Sequence, residues 1–235
     1  MCVAIEIVTT TTLALGSKEL SARGAIVTRL AAIEDMAGMA ILCSDKTGTL
    51  TLNQMMIQEY TPCYVEGETQ YSLLRYAAMA AKWHEPPRDA LDTLTLGAVD
   101  MESMHVMEQL DYMPFDPIVK RTEGTVKDTR TGEVFKTTKG APHVLVKLVK
   151  EGGGISEEDV HKIESDVVEL GSRGIRAIAV AKTDKDGSWH MLGLLTFLDP
   201  PRPDSKQTIA TAREYGVAVK MITGDHLLIA QVCMI

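Results

Sequence analysis

The chain has 235 residues, enough for two modest domains that together bury roughly 70 to 75 per cent of the surface an unfolded chain exposes. Its formal net charge of −8, from 32 acidic and 24 basic residues, removes any electrostatic case for a nucleic-acid partner, so a phosphorylated ligand would have to meet a locally basic pocket. The four cysteines (Cys2, Cys43, Cys63, Cys233) are too widely spaced for a paired ligand set and read as reduced thiols, and none of the six histidines sits at metal-ligand spacing.

Met1 to Val8, the four threonines that follow and Leu13-Ala14-Leu15-Gly16 form an apolar stretch shorter than the roughly 20 residues a spanning helix needs. Glu6 interrupts it, and it lacks the basic leader of a signal peptide, so taken alone it reads as a buried or interfacial helix. From Ser17 to Met39 the pattern is helical, with Leu20, Ile26, Val27, Leu30, Ile33 and Met36 on an apolar face that breaks at Gly24. Ala40-Ile41-Leu42-Cys43 then reads as a buried strand. It delivers Asp45, Lys46, Thr47, Gly48 and Thr49 into the turn beyond its carboxyl end, which is a place to handle phosphate. Asp45 can act as a nucleophile that forms an acyl phosphate. Gly48 permits close backbone approach, and the hydroxyls and amides of Thr47 and Thr49 can face phosphate oxygens.

After Asn53 come strand-like pieces, a helix over Tyr71 to Trp83 and a second helical region holding Asp89 to Asp92 and Leu94 to Val99. Met101, Met104, Met107 and Met113 recur at near-helical spacing and read as core filling rather than a soft metal surface. Thr122 to Val126 and Val134 to Thr138 predict two antiparallel strands joined at Thr131-Gly132. Lys139-Gly140 ends the second strand and a helix follows from His143 to Val149, a junction that offers a cation, free amides and room for a nucleotide. Gly152-Gly153-Gly154 is a flexible loop, since no strand leads into it and no lysine follows at phosphate-cradle spacing. Ser156-Glu157-Glu158-Asp159 begins a helix whose inner face is Val160, Ile163, Val167 and Leu170. Strands follow at Arg173 to Val180 and Met191 to Phe197, then a stiff elbow, Asp199-Pro200-Pro201-Arg202. A helix over Ser205 to Tyr215 and a buried strand over Val217 to Ile222 lead to Thr223-Gly224-Asp225, so that two strands present phosphate-handling loops at the same edge of a parallel sheet.

Asp45-Lys46-Thr47-Gly48-Thr49 resembles the phosphorylation motif of the P-type ATPases, ion pumps that pass through an aspartyl phosphate. The resemblance continues in family order through Lys139-Gly140-Ala141-Pro142, the elbow at Asp199 to Arg202 and Thr223-Gly224-Asp225. It implies an α/β fold: a haloacid-dehalogenase-like parallel-sheet phosphorylation domain, incomplete here, with an inserted α+β nucleotide-binding domain. Residues 1–23 would be the end of a membrane helix and its stalk, 24–53 and 199–235 the two parts of the phosphorylation domain, and 54–198 the nucleotide-binding domain. By resemblance, Asp45, Lys46, Thr47, Thr223 and Asp225 are catalytic. Phe115 stacks on adenine, and Lys120, Lys139, Gly140, Arg176 and Arg202 contact the nucleotide, with either Lys120 or Arg121 as the one that reaches the phosphates. ATP and Mg²⁺ are implied as cofactors, with Asp45 and a Thr47 carbonyl holding the metal. Ala31 to Met39 and Tyr112 to Thr122 are similar to the plasma-membrane, proton-pumping branch, which implies the cytosolic face of that membrane. The actuator domain, most membrane helices and a later lysine and aspartate segment are not in the sequence, so a piece of a pump is expected. Two other readings stand beside it: a nucleotide-binding module that completes no transfer, and a soluble phosphatase. The phosphatase would carry a second carboxylate where Thr47 stands.

Overall fold

A computed structural model describes residues 2–87 and 89–224, with side chains from residue 5 onward. In chain order its elements are α1 (Cys2–Ala22), α2 (Ala31–Ala37), β1 (Ile41–Asp45), β2 (Met56–Ile57), α3 (Gln70–Met79), α4 (Ala90–Gly97), β3 (Met107–Met113), β4 (Arg121–Asp128) and β5 (Val134–Gly140). They continue with α5 (Pro142–Glu151), α6 (Glu157–Ser172), β6 (Arg176–Thr183), β7 (Trp189–Leu198), α7 (Ser205–Glu214) and β8 (Ala218–Ile222). The architecture is mixed α/β and divides into two compact units. One comprises Met1–Asp45 and Pro203–Ile222, and the other is built on Lys46–Arg202.

In the first unit, α1 places four threonines in succession, and each hydroxyl from Thr9 to Thr12 donates to the carbonyl four residues earlier at 2.8 to 2.9 Å. The helical pattern expected from Ser17 to Met39 is interrupted: α1 ends at Ala22 and helix resumes only at Ala31, because Gly24, with φ +84, donates its amide to Ser21 O while the Ala25 amide donates to Leu20 O, a paired closure that needs a left-handed residue. Among the described residues no helix is long and apolar enough to cross a membrane. β1 and β8 pair in parallel, in register from Ile41 opposite Ala218 to Asp45 opposite Ile222. The expected burial of both strands is not met. Each alternates exposed and half-buried, and Ile41 is 56% exposed. A two-stranded sheet supplies too few neighbours to cover both faces, whatever its composition.

The second unit is a six-stranded antiparallel sheet in the order β2-β7-β6-β5-β4-β3. One core gathers Leu73, Ala77, Met79, Trp83, Val126, Leu192, Leu195 and Phe197. The other joins Leu145, Val149, Ile163 and Leu170 to Met191 and Leu194. Since β7 feeds both cores, its sequence reads as a continuous apolar run instead of an alternating one. Ser156 caps α6 by accepting from the Asp159 amide at 3.1 Å, and Val160, Ile163 and Leu170 form its buried face as predicted. The helical spacing of the methionines does not correspond to a helix. Met101 and Met104 lie in a 3₁₀ turn, while Met107 and Met113 lie on β3, although Met104 and Met107 do fill the core.

Candidate functional site

Asp45 is the last residue of β1 and is exposed. The next residues turn at once: Thr47 has φ −75 and ψ 121, and Gly48 has φ 80 and ψ −11. This is a type II turn, whose third position requires positive φ and so selects glycine. A Cβ on Gly48 would meet nothing closer than Asn53 at 3.6 Å, so conformation rather than space explains the residue. Lys46 is buried, and the Thr51 amide returns to its carbonyl at 3.1 Å.

The turn is tied to the elbow that follows β7. Thr51, fully buried, donates its hydroxyl to Asp199 Oδ2 at 2.5 Å and accepts from the Gly48 amide at 3.2 Å. Asp199 Oδ1 takes the Gln54 amide at 3.1 Å. The two passing segments pair as a short ladder, with Leu52 N to Pro200 O at 3.0 Å and Arg202 N to Leu50 O at 2.9 Å. Arg202 itself donates from its guanidinium to Gly48 O at 3.1 Å. Thr223 directly follows β8, whose last residue, Ile222, pairs with Asp45, so both residues stand at the carboxyl edge of the parallel pair. Asp225 lies outside the described residues.

Four of the predicted nucleotide contacts meet in the second unit. Phe115, Lys120, Lys139 and Gly140 line one cavity of about 350 Å³, with Asp92, Thr122, Ile178, Leu195 and Phe197. Phe115 is 57% exposed, a ring held out of the core at the cavity's edge. Lys120 is exposed and has a left-handed backbone, φ 53, in a turn closed by its own amide on Asp116 O at 2.6 Å. Lys139 is buried and so is Asp92, on the first turn of α4. The ammonium donates to Asp92 Oδ1 and, at 3.2 Å, to Ala77 O. Asp92 was not singled out in the sequence as a site residue, because its partner lies 47 positions away. The room and free amides expected around Gly140 are taken by the chain itself. A Cβ there would stand 2.5 Å from Lys120 O and 2.6 Å from Arg121 Cβ, and the Ala141 amide is already bonded to Lys120 O. Arg176, at the start of β6, lines a neighbouring apolar cavity with His143, Val146 and Val167, and does not line the first.

No family profile matches the chain. It is 58% identical over 229 residues to the probable proton ATPases 1A and 1B of Leishmania donovani, a match that covers 97% of this chain and 23% of theirs. It is 40% identical over 234 residues to plasma membrane ATPase 1 of Saccharomyces cerevisiae, covering 97% of this chain and 25% of that protein. A putative cation-transporting ATPase of Methanocaldococcus jannaschii is 38% identical over 234 residues, with 27% of its length covered. The chain thus spans about a quarter of the length of these curated relatives.

Proposed function

Since the chain belongs to the P-type ATPase family, we propose that it is the ATP-binding and phosphoryl-accepting part of a cation pump of the plasma membrane, the cation being the proton. One observation carries the chemical half of this reading: an exposed Asp45 ends a parallel strand and runs straight into a glycine-dependent turn. ATP would bind with its base against Phe115, beside Lys139 and Gly140, and its phosphates towards Lys120, Arg176 and Arg202. Closure about Asp199 to Arg202 would carry the γ-phosphate to Asp45. A carboxylate oxygen of Asp45 attacks the γ-phosphorus, the bond from that phosphorus to the β-phosphate bridging oxygen breaks, and ADP leaves with the electron pair. Lys46, Thr47, Thr223 and Asp225 would hold the transferred group and its charge.

Magnesium fits the donor set on chemical grounds. The Asp45 carboxylate and the Thr47 carbonyl are hard oxygen ligands, and Mg²⁺ takes one or two such groups and keeps water and phosphate oxygens for the rest. When bound it offsets charge between carboxylate and phosphate. Thr47 stands where a soluble phosphatase would place a second carboxylate, which favours a persistent acyl phosphate. In this reading β1 and β8 are strands of a haloacid-dehalogenase-like sheet. Residues 24–53 and 199–235 are its two parts, 54–198 are the inserted nucleotide-binding domain, and 1–23 lead from the membrane at its cytosolic face.

The test is acid-quenched labelling of the full chain with γ-labelled ATP and Mg²⁺, beside Asp45→Asn, followed by hydroxylamine. The expected result is a hydroxylamine-sensitive label that the variant lacks entirely while ATP still raises its melting temperature. A label that survives in Asp45→Asn would remove Asp45 from its role. ATP-dependent stabilisation with no label in the native chain would leave a nucleotide-binding module.

A further inference from the structure

The cavity that holds Phe115 and Lys139 has carbon walls in Leu91, Ile178, Leu195 and Phe197, and nearly all of its buried polar groups are bonded within the chain. Lys139 is bonded to Asp92 and Ala77 O, the Thr95 hydroxyl donates to Leu91 O at 2.9 Å, and the Ala141 amide donates to Lys120 O at 3.1 Å. Thr122 is the exception. It is 3% exposed, yet its Oγ1 has no hydrogen-bond partner among the described residues. Its backbone carbonyl is used, accepting from Thr138 Oγ1 at 2.6 Å, so only the side chain is unsatisfied. Buried hydroxyls are rarely left this way, because desolvation without a partner costs free energy. The described residues supply no partner, so an occupant of the cavity that Thr122 lines is the group placed to supply one.

We propose that Thr122 is a ligand contact at the base end of this cavity, donating its hydroxyl to a ring nitrogen of the purine that lies against Phe115. This rests on the reading of the cavity as the ATP site and deepens it. The chemistry matches on both counts. Apolar walls with an exposed aromatic at the edge suit a flat heterocycle, and a heterocycle buried there leaves its in-plane lone pairs in need of a donor. Lys139 is already neutralised by Asp92, and Lys120 stands exposed at the rim, where phosphates can stay hydrated. The buried hydroxyl is therefore the neutral donor left for the base.

Binding of ATP and of adenosine to the full chain, measured by calorimetry for the native protein, Thr122→Val and Thr122→Ser, tests this directly. Valine keeps the shape and removes the donor. It should weaken both ligands about tenfold and by the same factor, because the contact is to the base and not to the phosphates. Serine should restore affinity to within about twofold to threefold of native. Melting of the ligand-free valine variant should stay within a few degrees of native, since no bond inside the chain is lost. Native-like affinity in Thr122→Val would overturn the proposal while leaving the cavity as the ATP site. An effect on ATP but not adenosine would overturn it in favour of a phosphate role. Failure of the native chain to bind either ligand would overturn both this inference and the reading beneath it.

Discussion

Along β7, every residue from Met191 to Phe197 is buried, whereas β1 alternates exposed and half-buried over its whole length. The two segments look alike in sequence, each an apolar run that leads to an aspartate, Asp45 after the first and Asp199 after the second. What separates them is the number of layers that cover them. β7 has strands on both sides and helices over both faces, while β1 has one partner strand among the described residues. Burial is therefore a property of the assembly around a strand and not of the strand's own composition. The candidate site residues divide in the same way, because Asp45 ends the open strand while the cavity that Phe115 and Lys139 line lies against the closed sheet.

Truncation within each strand puts a magnitude on this contrast. Phe197→Ala removes a ring that is 0% exposed, and should cost about 3 to 5 kcal/mol in denaturant unfolding of the full chain with little change in slope. Ile41→Ala, at a position 56% exposed, should cost about 0.5 kcal/mol or less. Equal costs at the two positions would mean that β1 is covered as thoroughly as β7, and the comparison would fail.

Next in size is the buried pair inside the second unit. Asp92→Ala leaves the Lys139 ammonium buried with only the Ala77 carbonyl, and should destabilise the chain by about 3 kcal/mol. Replacing both partners together, Asp92→Leu with Lys139→Met, should recover most of that loss, because two desolvated charges give way to apolar groups of similar volume. Nucleotide affinity should not recover with it. If the double variant both refolds to native stability and binds ATP normally, Lys139 has no part in recognition.

That pair marks the limit of what the sequence made legible. Some local chemistry was readable: Gly24 breaks the apolar helical face where α1 stops, Ser156 caps α6, and Gly132 at φ +75 turns β4 back onto β5, although the helix expected to run on to Met39 is interrupted until Ala31. The parallel run of β1 and β8 was readable too, from two strands whose carboxyl ends were expected to share one sheet edge. Long-range partners were not readable. Nothing near Lys139 names Asp92, nothing near Gly48 names Thr51 as the link to Asp199, and Thr122 looks like any strand threonine until its neighbours are known. The methionines fill the core at Met104 and Met107 as read, but their helical spacing misled for a related reason. Spacing of three to six residues fits a helix face, but it fits a turn followed by a strand as well, and only packing decides between them.

The smallest expected effect concerns pH and again separates the units. Glu123 on β4 accepts from Arg121 Nη1 at 2.5 Å and from Lys136 Nζ at 3.0 Å, and its side chain is 15% exposed. Burial pushes its carboxyl up, but the hydrogen bonds and charges of Arg121 and Lys136 outweigh that and hold it below its usual 4.5. A carboxyl lowered on folding contributes stability that is fully present above its unfolded value and is lost as pH falls through its folded one. Acid should therefore weaken the second unit below about pH 4.5, in part through this group. Glu123→Gln should flatten that stretch of the stability curve while costing less at neutral pH than Asp92→Ala, because Lys136 is half exposed and solvent screens its share. Unfolding curves of the two proteins between pH 3 and 7 decide the matter. Parallel curves would mean that the Arg121-Glu123-Lys136 cluster contributes no acid sensitivity, and that the loss comes from carboxylates elsewhere, the first unit included.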